Sequence, residues 1–318
     1  MAEPSIIFNV SFNDIGKRLD AFLSENIDGW SRSRLQRLVD GGGVLVNGKT
    51  AKSSYKLREG DEIDVELTDE PAAIFEPENI PLNIIYEDED LAVINKSAGM
   101  VVHPGAGISS GTLANAIAWH FGQRIGTTRG IDAASERVGI VHRLDKDTSG
   151  LILVAKNEQI HEALALQFSE RTVEKSYVAL VHGNIQQTSG VIDRPIARDR
   201  WHRTKMTVAA NGRNALSIWK IRQRFEKFTL VEVEIKTGRT HQIRVHLASL
   251  NHPVVGDPTY NEGRDNTIAD NEIKKAVERL SRVFLHAEKL SFTHPKSGER
   301  LSFTCEMPQE LTELLKFL

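Results

Sequence analysis

The sequence predicts an α+β protein of two domains: a large one built on a mainly antiparallel, mixed β-sheet with flanking helices, and a small α/β one ahead of it. Three observations carry this. After residue 80 most apolar runs have strand length and are separated by turn residues, without regular helical crossovers. The first 70 residues instead place two short helical patterns before a hairpin signal. Between them, TDEPAAIFEPENIP holds three prolines, several acids and no period, and reads as a linker. The predicted boundaries are residues 1–70, a linker at 71–80, and 81–318.

Leu19, Phe22, Leu23 and Ile27 recur at helical spacing, and Leu35, Leu38 and Val39 repeat the pattern behind a Ser31 cap. Gly41, Gly42 and Gly43 end that second helix. Asn47-Gly48 then marks a tight hairpin turn, because both of its positions need positive φ. Ile63, Val65 and Leu67 alternate along a further strand. In the large domain, strands are predicted at 82–86, 91–95, 151–155, 177–181 and 229–236. Ile160, Leu164 and Phe168 mark one helix, and Ile243, Leu247 and Leu250 mark another, capped by Thr240.

At 318 residues, 40% hydrophobic and 26% charged, the chain has enough apolar material for two cores. It has no apolar stretch of the roughly 20 residues a membrane span needs, and its start lacks the basic and apolar regions of a signal peptide. A cytoplasmic location is therefore expected. Cys305 is the single cysteine, which excludes an internal disulfide framework and a cysteine-based zinc site. The net charge of −3 weighs against nucleic acid, since phosphate binding is driven by Lys and Arg. The cations are concentrated, however, at Arg32, Arg34 and Arg37 and in a run from Arg194 to Lys205. That run interleaves Trp201 and His202 with Arg198, Arg200 and Arg203, against the lone acid Asp199. It suits phosphate contact with base stacking, and equally a solvated loop.

Gly139 to Gly150 packs His142, Arg143, Asp145, Lys146 and Asp147 between two apolar strands, and catalytic groups concentrate on loops held by a rigid scaffold. On an extended segment Asp145 and Asp147 would point to one side. The pair could serve as the acid and base of a glycosidase, or one carboxylate as a nucleophile with Arg143 and Lys146 as electrostatic partners. An Asp/Thr/Ser turn satisfying its own backbone would need neither role. Thr237 to His246 enters a helix with Arg239, Arg244 and two histidines. Arg244, beside Ile243, could hold a carboxylate in a two-bond fork or lie on the surface. His241 and His246 are five apart and fall on different helix faces, which weighs against metal. Gly105-Ala-Gly107 lacks the third glycine of a dinucleotide fingerprint, because Ser110 stands there.

His142-Arg-Leu-Asp-Lys-Asp-Thr-Ser-Gly150 resembles, at every position, the HRLDxxTSG signature of the RluA family of pseudouridine synthases. Lys175-Ser-Tyr177, Thr237 to His246, Phe284-Leu-His-Ala287 and His294-Pro295 follow in family order, so the resemblance covers nearly all of residues 80–310. Arg18-Leu-Asp20, Ser31-Arg-Ser-Arg34 and Val44-Leu-Val-Asn-Gly-Lys49 resemble an S4 RNA-binding domain. Together with Phe75-Glu-Pro77, Tyr86 to Asp90 and Val102 to Gly107, this pairing is most similar to family members that act on 23S rRNA. Two departures stand out: Asn95-Lys-Ser97, where the family usually has proline after the lysine, and a longer Gly126 to Arg137 segment.

The resemblance implies isomerisation of specific uridines to pseudouridine in 23S rRNA or a large-subunit precursor, by a monomer needing neither cofactor nor metal. It implies Asp145 as nucleophile, Tyr177 packing on the base and moving the C5 proton, and Arg244 keeping Asp145 charged. Substrate contacts fall to His142, to Leu285 beneath the flipped ring, and to Arg143 in the space the extruded base vacates. RNA contact is expected at Arg32, Arg34, Arg37, Lys49, Arg200, Arg203 and Lys205. The rival readings are a sister synthase for other uridines of the same rRNA, a non-catalytic rRNA-binding assembly factor, and a carboxylate-pair glycosidase.

Overall fold

The computed structural model describes residues 5–27, 30, 32–67, 76–104, 108–122, 139–202 and 204–318, with the backbone alone at Ser5, Arg32, Ser33, Arg34 and Arg37. Ser31, Phe75, Gly105 to Gly107, Gly126 to Arg137 and Arg203 lie outside the described residues. The described residues divide into two compact units, one before residue 75 and one from there on.

The first unit contains β1 (Ser5–Asn9), α1 (Leu19–Asn26), α2 (Arg32–Asp40), β2 (Val44–Val46), β3 (Lys49–Thr50) and β4 (Glu62–Glu66). Its strands form an antiparallel sheet in the order β1-β4-β2-β3. The helical apolar positions Leu19, Leu23, Leu35 and Leu38 are buried with Ile63 and Val65 in one core. The β2–β3 turn sets Asn47 at φ 53° and Gly48 at φ 71°, the left-handed pair that matches the twist of a tight hairpin. Asp20 is fully buried in α1. It accepts two hydrogen bonds from Arg18 at 2.9 Å and another from Gln36, so one carboxylate joins the two helices.

The second unit opens with β5 (Ile84–Glu87), β6 (Leu91–Lys96), α3 (Leu113–Gly122), β7 (Ser149–Ala155), α4 (Glu158–Glu170) and β8 (Glu174–His182). It continues with β9 (Ser189–Asp193), β10 (Ile196–Arg198), β11 (Met206–Val208), β12 (Leu216–Arg224), β13 (Phe228–Ile235) and α5 (Gln242–Ser249). α6 (Asn271–Leu280), β14 (Leu285–Thr293), β15 (Arg300–Thr304) and α7 (Gln309–Leu315) complete it. The main sheet runs β5-β6-β7-β14-β8-β13-β12-β9, with β15 paired to β14, while β10 and β11 form a separate ribbon. Every pairing is antiparallel except β7 with β14, so the mixed, mainly antiparallel sheet is as predicted. β1, α3, β9 to β12, β14, β15, α6 and α7 have no counterpart in the sequence prediction. None of the described helices is long and apolar enough to cross a membrane.

Both faces of the sheet centre are covered. Ala92, Ile94, Ile152 and Val154 join one apolar cluster with Ile117 of α3, Ile243 of α5 and Val277 of α6. Their neighbours Leu91, Val93, Leu151 and Leu153 join another with Ile160 and Leu164 of α4. Alternate residues of β6 and β7 thus feed opposite cores, which explains their unbroken apolar runs. At the parallel seam Ser149 faces His286 and Gly150 faces Ala287. Ser149 Oγ sits 2.9 Å from His286 Nδ1 and accepts Arg282 at 2.9 Å. Gly150 has φ 117°, and a Cβ there would lie 2.2 Å from the Ala287 carbonyl oxygen. Gly150→Ala is therefore expected to destabilise the protein by about 3 kcal/mol, combining a disfavoured φ with overpacking. Denaturant unfolding checks this; an unchanged midpoint would show that the seam can open to admit a methyl group.

Candidate active site

The chain reverses immediately after Asp145: the Thr148 N–H donates to the Asp145 carbonyl at 3.1 Å. Asp145 therefore opens a turn in which Asp147 is a central residue, and the two do not share one side of an extended segment, a correction that follows from this local hydrogen bond. Lys96 anchors the turn from behind. It is 1% exposed, and its ammonium donates to the carbonyls of Ser97 at 2.8 Å, Met100 at 2.9 Å and Lys146 at 3.0 Å. Burial, with Arg282 acting the same way and Asp147 and Asp145 opposing, pushes its pKa down to about 7. Ser97 contributes only a backbone carbonyl, so the missing proline leaves this anchor intact.

Arg244 organises the charges. Its Nε donates to Asp257 Oδ2 at 2.7 Å and one terminal nitrogen to Asp257 Oδ1 at 2.9 Å, while the other terminal nitrogen reaches Asp145 Oδ2 at 3.2 Å. The surface alternative for Arg244 is thereby removed. Asp257 is fully buried, and its Oδ1 also accepts the N–H groups of Thr259 at 2.8 Å and Tyr260 at 3.1 Å. Burial alone would lower the Arg244 pKa, but the hydrogen bonds and charge of Asp257, joined by Asp145, outweigh it and hold the pKa above the ordinary arginine value. Asp145 Oδ1 has no donor among the described residues. The Asp145 side chain keeps 19% exposure, so the nucleophile candidate is fixed on one oxygen and open on the other.

Arg143, Asp145, Thr148, Tyr177, Arg244 and Leu285 line one cleft of about 470 Å³, open solvent included. Tyr177 and Leu285 supply apolar wall, and the Arg143 side chain is exposed at the rim. Burial, reinforced by the Asp145 charge, raises the Tyr177 pKa, so its resting form is the neutral phenol. His142 is not brought to the cleft. Its Nε2 accepts the Leu153 N–H at 2.9 Å and its ring stacks on Phe168 at 4.8 Å. Burial, with some help from Lys175, lowers its pKa to about 3, in keeping with a structural neutral ring.

Sequence reasoning missed Asp257, Tyr260 and the position of His241. α5 starts at Gln242 with His241 as its cap residue at φ 55°, ψ 21°, and no side chain caps the helix there. Thr240 is thus not the cap: the Gln242 side-chain oxygen Oε1 instead accepts the Thr237 hydroxyl at 2.7 Å and the Arg239 N–H at 3.1 Å. A left-handed conformation costs a non-glycine residue roughly 1 kcal/mol. His241 Nδ1 lies 2.7 Å from the Tyr260 hydroxyl, which accepts the Met206 N–H at 2.8 Å. The Tyr260 ring also lies 5.0 Å beneath the Arg244 guanidinium. Burial lowers the His241 pKa, Asp145 and Asp257 pulling against it and Arg244 and Arg143 with it. His246 faces elsewhere, 2.9 Å from both Ser217 Oγ and the Arg194 carbonyl.

The β10–β11 ribbon carries the predicted basic run. Trp201 is 88% exposed at its tip, where Asp199 Oδ1 accepts the N–H groups of Trp201 at 2.8 Å and His202 at 2.7 Å. Arg200 is exposed and Lys205 half-buried. In the first unit Lys49 is exposed on β3, and Arg32, Arg34 and Arg37 fall on α2. Asp88, Asp90 and His294 bring ligand-type atoms within 4.8 Å of one another. Their bonds are already internal: Asp88 Oδ2 takes Tyr86 at 2.7 Å and His294 at 3.1 Å, and Asp90 pairs with Lys296 at 3.3 Å.

Residues 90–249 match the family described as RNA pseudouridylate synthase, and residues 17–63 match the S4 domain. The chain is 41% identical over 302 residues to an RNA pseudouridine synthase of Bacillus subtilis (strain 168), covering 95% of this chain and 94% of that one. It is 39% identical over 311 residues to ribosomal large subunit pseudouridine synthase D of Escherichia coli O6:H1, covering 97% and 93%. Among solved structures, human RNA pseudouridylate synthase domain containing 1 superposes with a TM-score of 0.55 at 28% identity, over 75% of this chain and 86% of that one.

Asp257→Asn should lower unfolding stability by about 3 kcal/mol, because it leaves the buried Arg244 charge without its forked partner. Thermal and denaturant unfolding measure this; stability within 1 kcal/mol of wild type, roughly the error of such comparisons, would show that Arg244 does not depend on the fork.

Proposed function

The chain belongs to the RNA pseudouridylate synthase family, and on that premise we propose that it converts specific uridines of 23S rRNA to pseudouridine with Asp145 as nucleophile. The observation that carries this reading is the Asp257–Arg244–Asp145 chain: a carboxylate steadied on one oxygen, open on the other, in a cleft walled by an aromatic and an aliphatic side chain. The large-subunit enzymes among its relatives and the S4 match support rRNA as the substrate.

The reaction opens the bond from ribose C1′ to N1, turns the uracil, and joins C1′ to C5. C5 gives up a proton, N1 ends with one, and no electrons enter or leave. Asp145 Oδ1 serves as the nucleophile toward the sugar, and Arg244 favours its charged form. Tyr177 and Leu285 hold the ring. The Tyr177 hydroxyl, neutral at rest, receives the C5 proton in concert with passing on its own. Uridine inside a structured RNA must first be extruded, at about a few kcal/mol, and Arg143 at the rim fills the gap. The S4-like domain, with Arg32, Arg34, Arg37 and Lys49, and the ribbon, with Arg200, Arg203 and Lys205, hold phosphates. The same reading has the protein acting as a cytoplasmic monomer.

Pseudouridine mapping across 23S rRNA tests this in cells lacking the protein, complemented with wild type or Asp145→Asn. One set of uridines should lose modification and regain it with wild type alone; an unchanged map favours the non-catalytic binding factor. Deleting residues 1–70 should weaken RNA affinity about 10-fold or more, through lost phosphate contacts, while sparing the single-turnover rate on saturating RNA. A lost rate with intact affinity would contradict this division of labour.

A further inference from the structure

His241 does something for which the fold pays no attention to backbone comfort: its φ of 55° suits glycine, yet an imidazole stands there and lines the cleft with Asp145 and Tyr177. Non-glycine residues held in that conformation cluster at functional sites. The ring's hydrogen bonds fix its proton. The Tyr260 hydroxyl accepts the Met206 N–H, so its own single proton goes to His241 Nδ1, its one acceptor among the described residues. Nδ1 accepts and Nε2 carries the hydrogen. That Nε2–H has no hydrogen-bond partner among the described residues, and it is not sealed from solvent.

Resting on the isomerase reading above, we propose that His241 is a further catalytic residue: its neutral imidazole donates Nε2–H to a carbonyl oxygen of the target uracil. The donor stabilises the charge the ring takes up as the C1′–N1 electron pair leaves with it. No proton is transferred, so the step balances without another reactant. An uncharged donor suits a neutral oxygen that becomes negative only during reaction. Burial, the largest influence on this group, favours the neutral form.

His241→Gly is the informative variant, because glycine accepts φ 55° without backbone strain, and its melting temperature reports the loss of the Tyr260 contact separately from the rate. The test uses a synthetic RNA stem-loop around a uridine located by the mapping, with oxygen or sulfur at C2 or C4 of that uracil. Sulfur is the poorer acceptor. Wild type should slow about 10²-fold on one of the two thio RNAs, and His241→Gly should slow about 10²-fold on the oxygen RNA. The two losses should not multiply. A variant as fast as wild type on oxygen RNA, or losses that multiply at both positions, would overturn the proposal. Wild type that forms no pseudouridine in the oxygen RNA would instead overturn the isomerase reading, and this proposal with it.

Discussion

A guanidinium has a planar fork of donors and almost never loses its charge, and in this protein the way Arg244 divides those donors governs the site. Two go to Asp257, which is sealed from water and further tied by the Thr259 and Tyr260 N–H groups. Each charge of that pair is costly to bury alone, so each holds the other in place. The third donor then meets Asp145 from a fixed frame. A lysine could bring the same charge but not the same plane.

The sheet order explains how distant residues converge. β7, β14, β8 and β13 are consecutive neighbours. The Asp145 turn enters β7, Leu285 opens β14, and Tyr177 lies within β8 opposite Ala287. α5 follows β13 and carries Arg244. The separate β10–β11 ribbon is tied to this centre through the Met206 N–H on Tyr260, the ring beneath Arg244. A basic, tryptophan-tipped arm and the charged core of the cleft therefore share one aromatic residue.

Local signals were the legible ones. Asn47-Gly48 announces its hairpin because the requirement for positive φ is confined to two residues. The loop with Asp145 announced itself by its charge density and its motif. The Arg244–Asp257 pair could not be read, since nothing in Val-Val-Gly-Asp-Pro distinguishes a buried carboxylate from an ordinary turn. Periodicity found α5 but not that it buries Gln242, Arg244 and His246 together with its apolar residues, because polar partners satisfy each of them. β14 was hidden by His286 and Glu288, which interrupt its apolar pattern yet are buried. α6 was readable in principle: Ile273, Ala276, Val277 and Leu280 follow an Asp270 cap at helical spacing.

The place of β14 has a consequence for how the sheet is assembled. β5, β6 and β7 form one antiparallel patch and β8, β13, β12 and β9 another, and in the hydrogen-bonded order the two are joined through β14. That strand, Leu285–Thr293, follows every strand of both patches in the sequence. Without it the two patches would share no edge, and the parts of the cleft that carry Asp145 and Tyr177 would lack the strand between them. Closure depends on contacts far apart in sequence, the slowest kind to form. The strand that joins the two patches thus comes after both of them in the chain, and the cleft is whole only once that strand is seated between them.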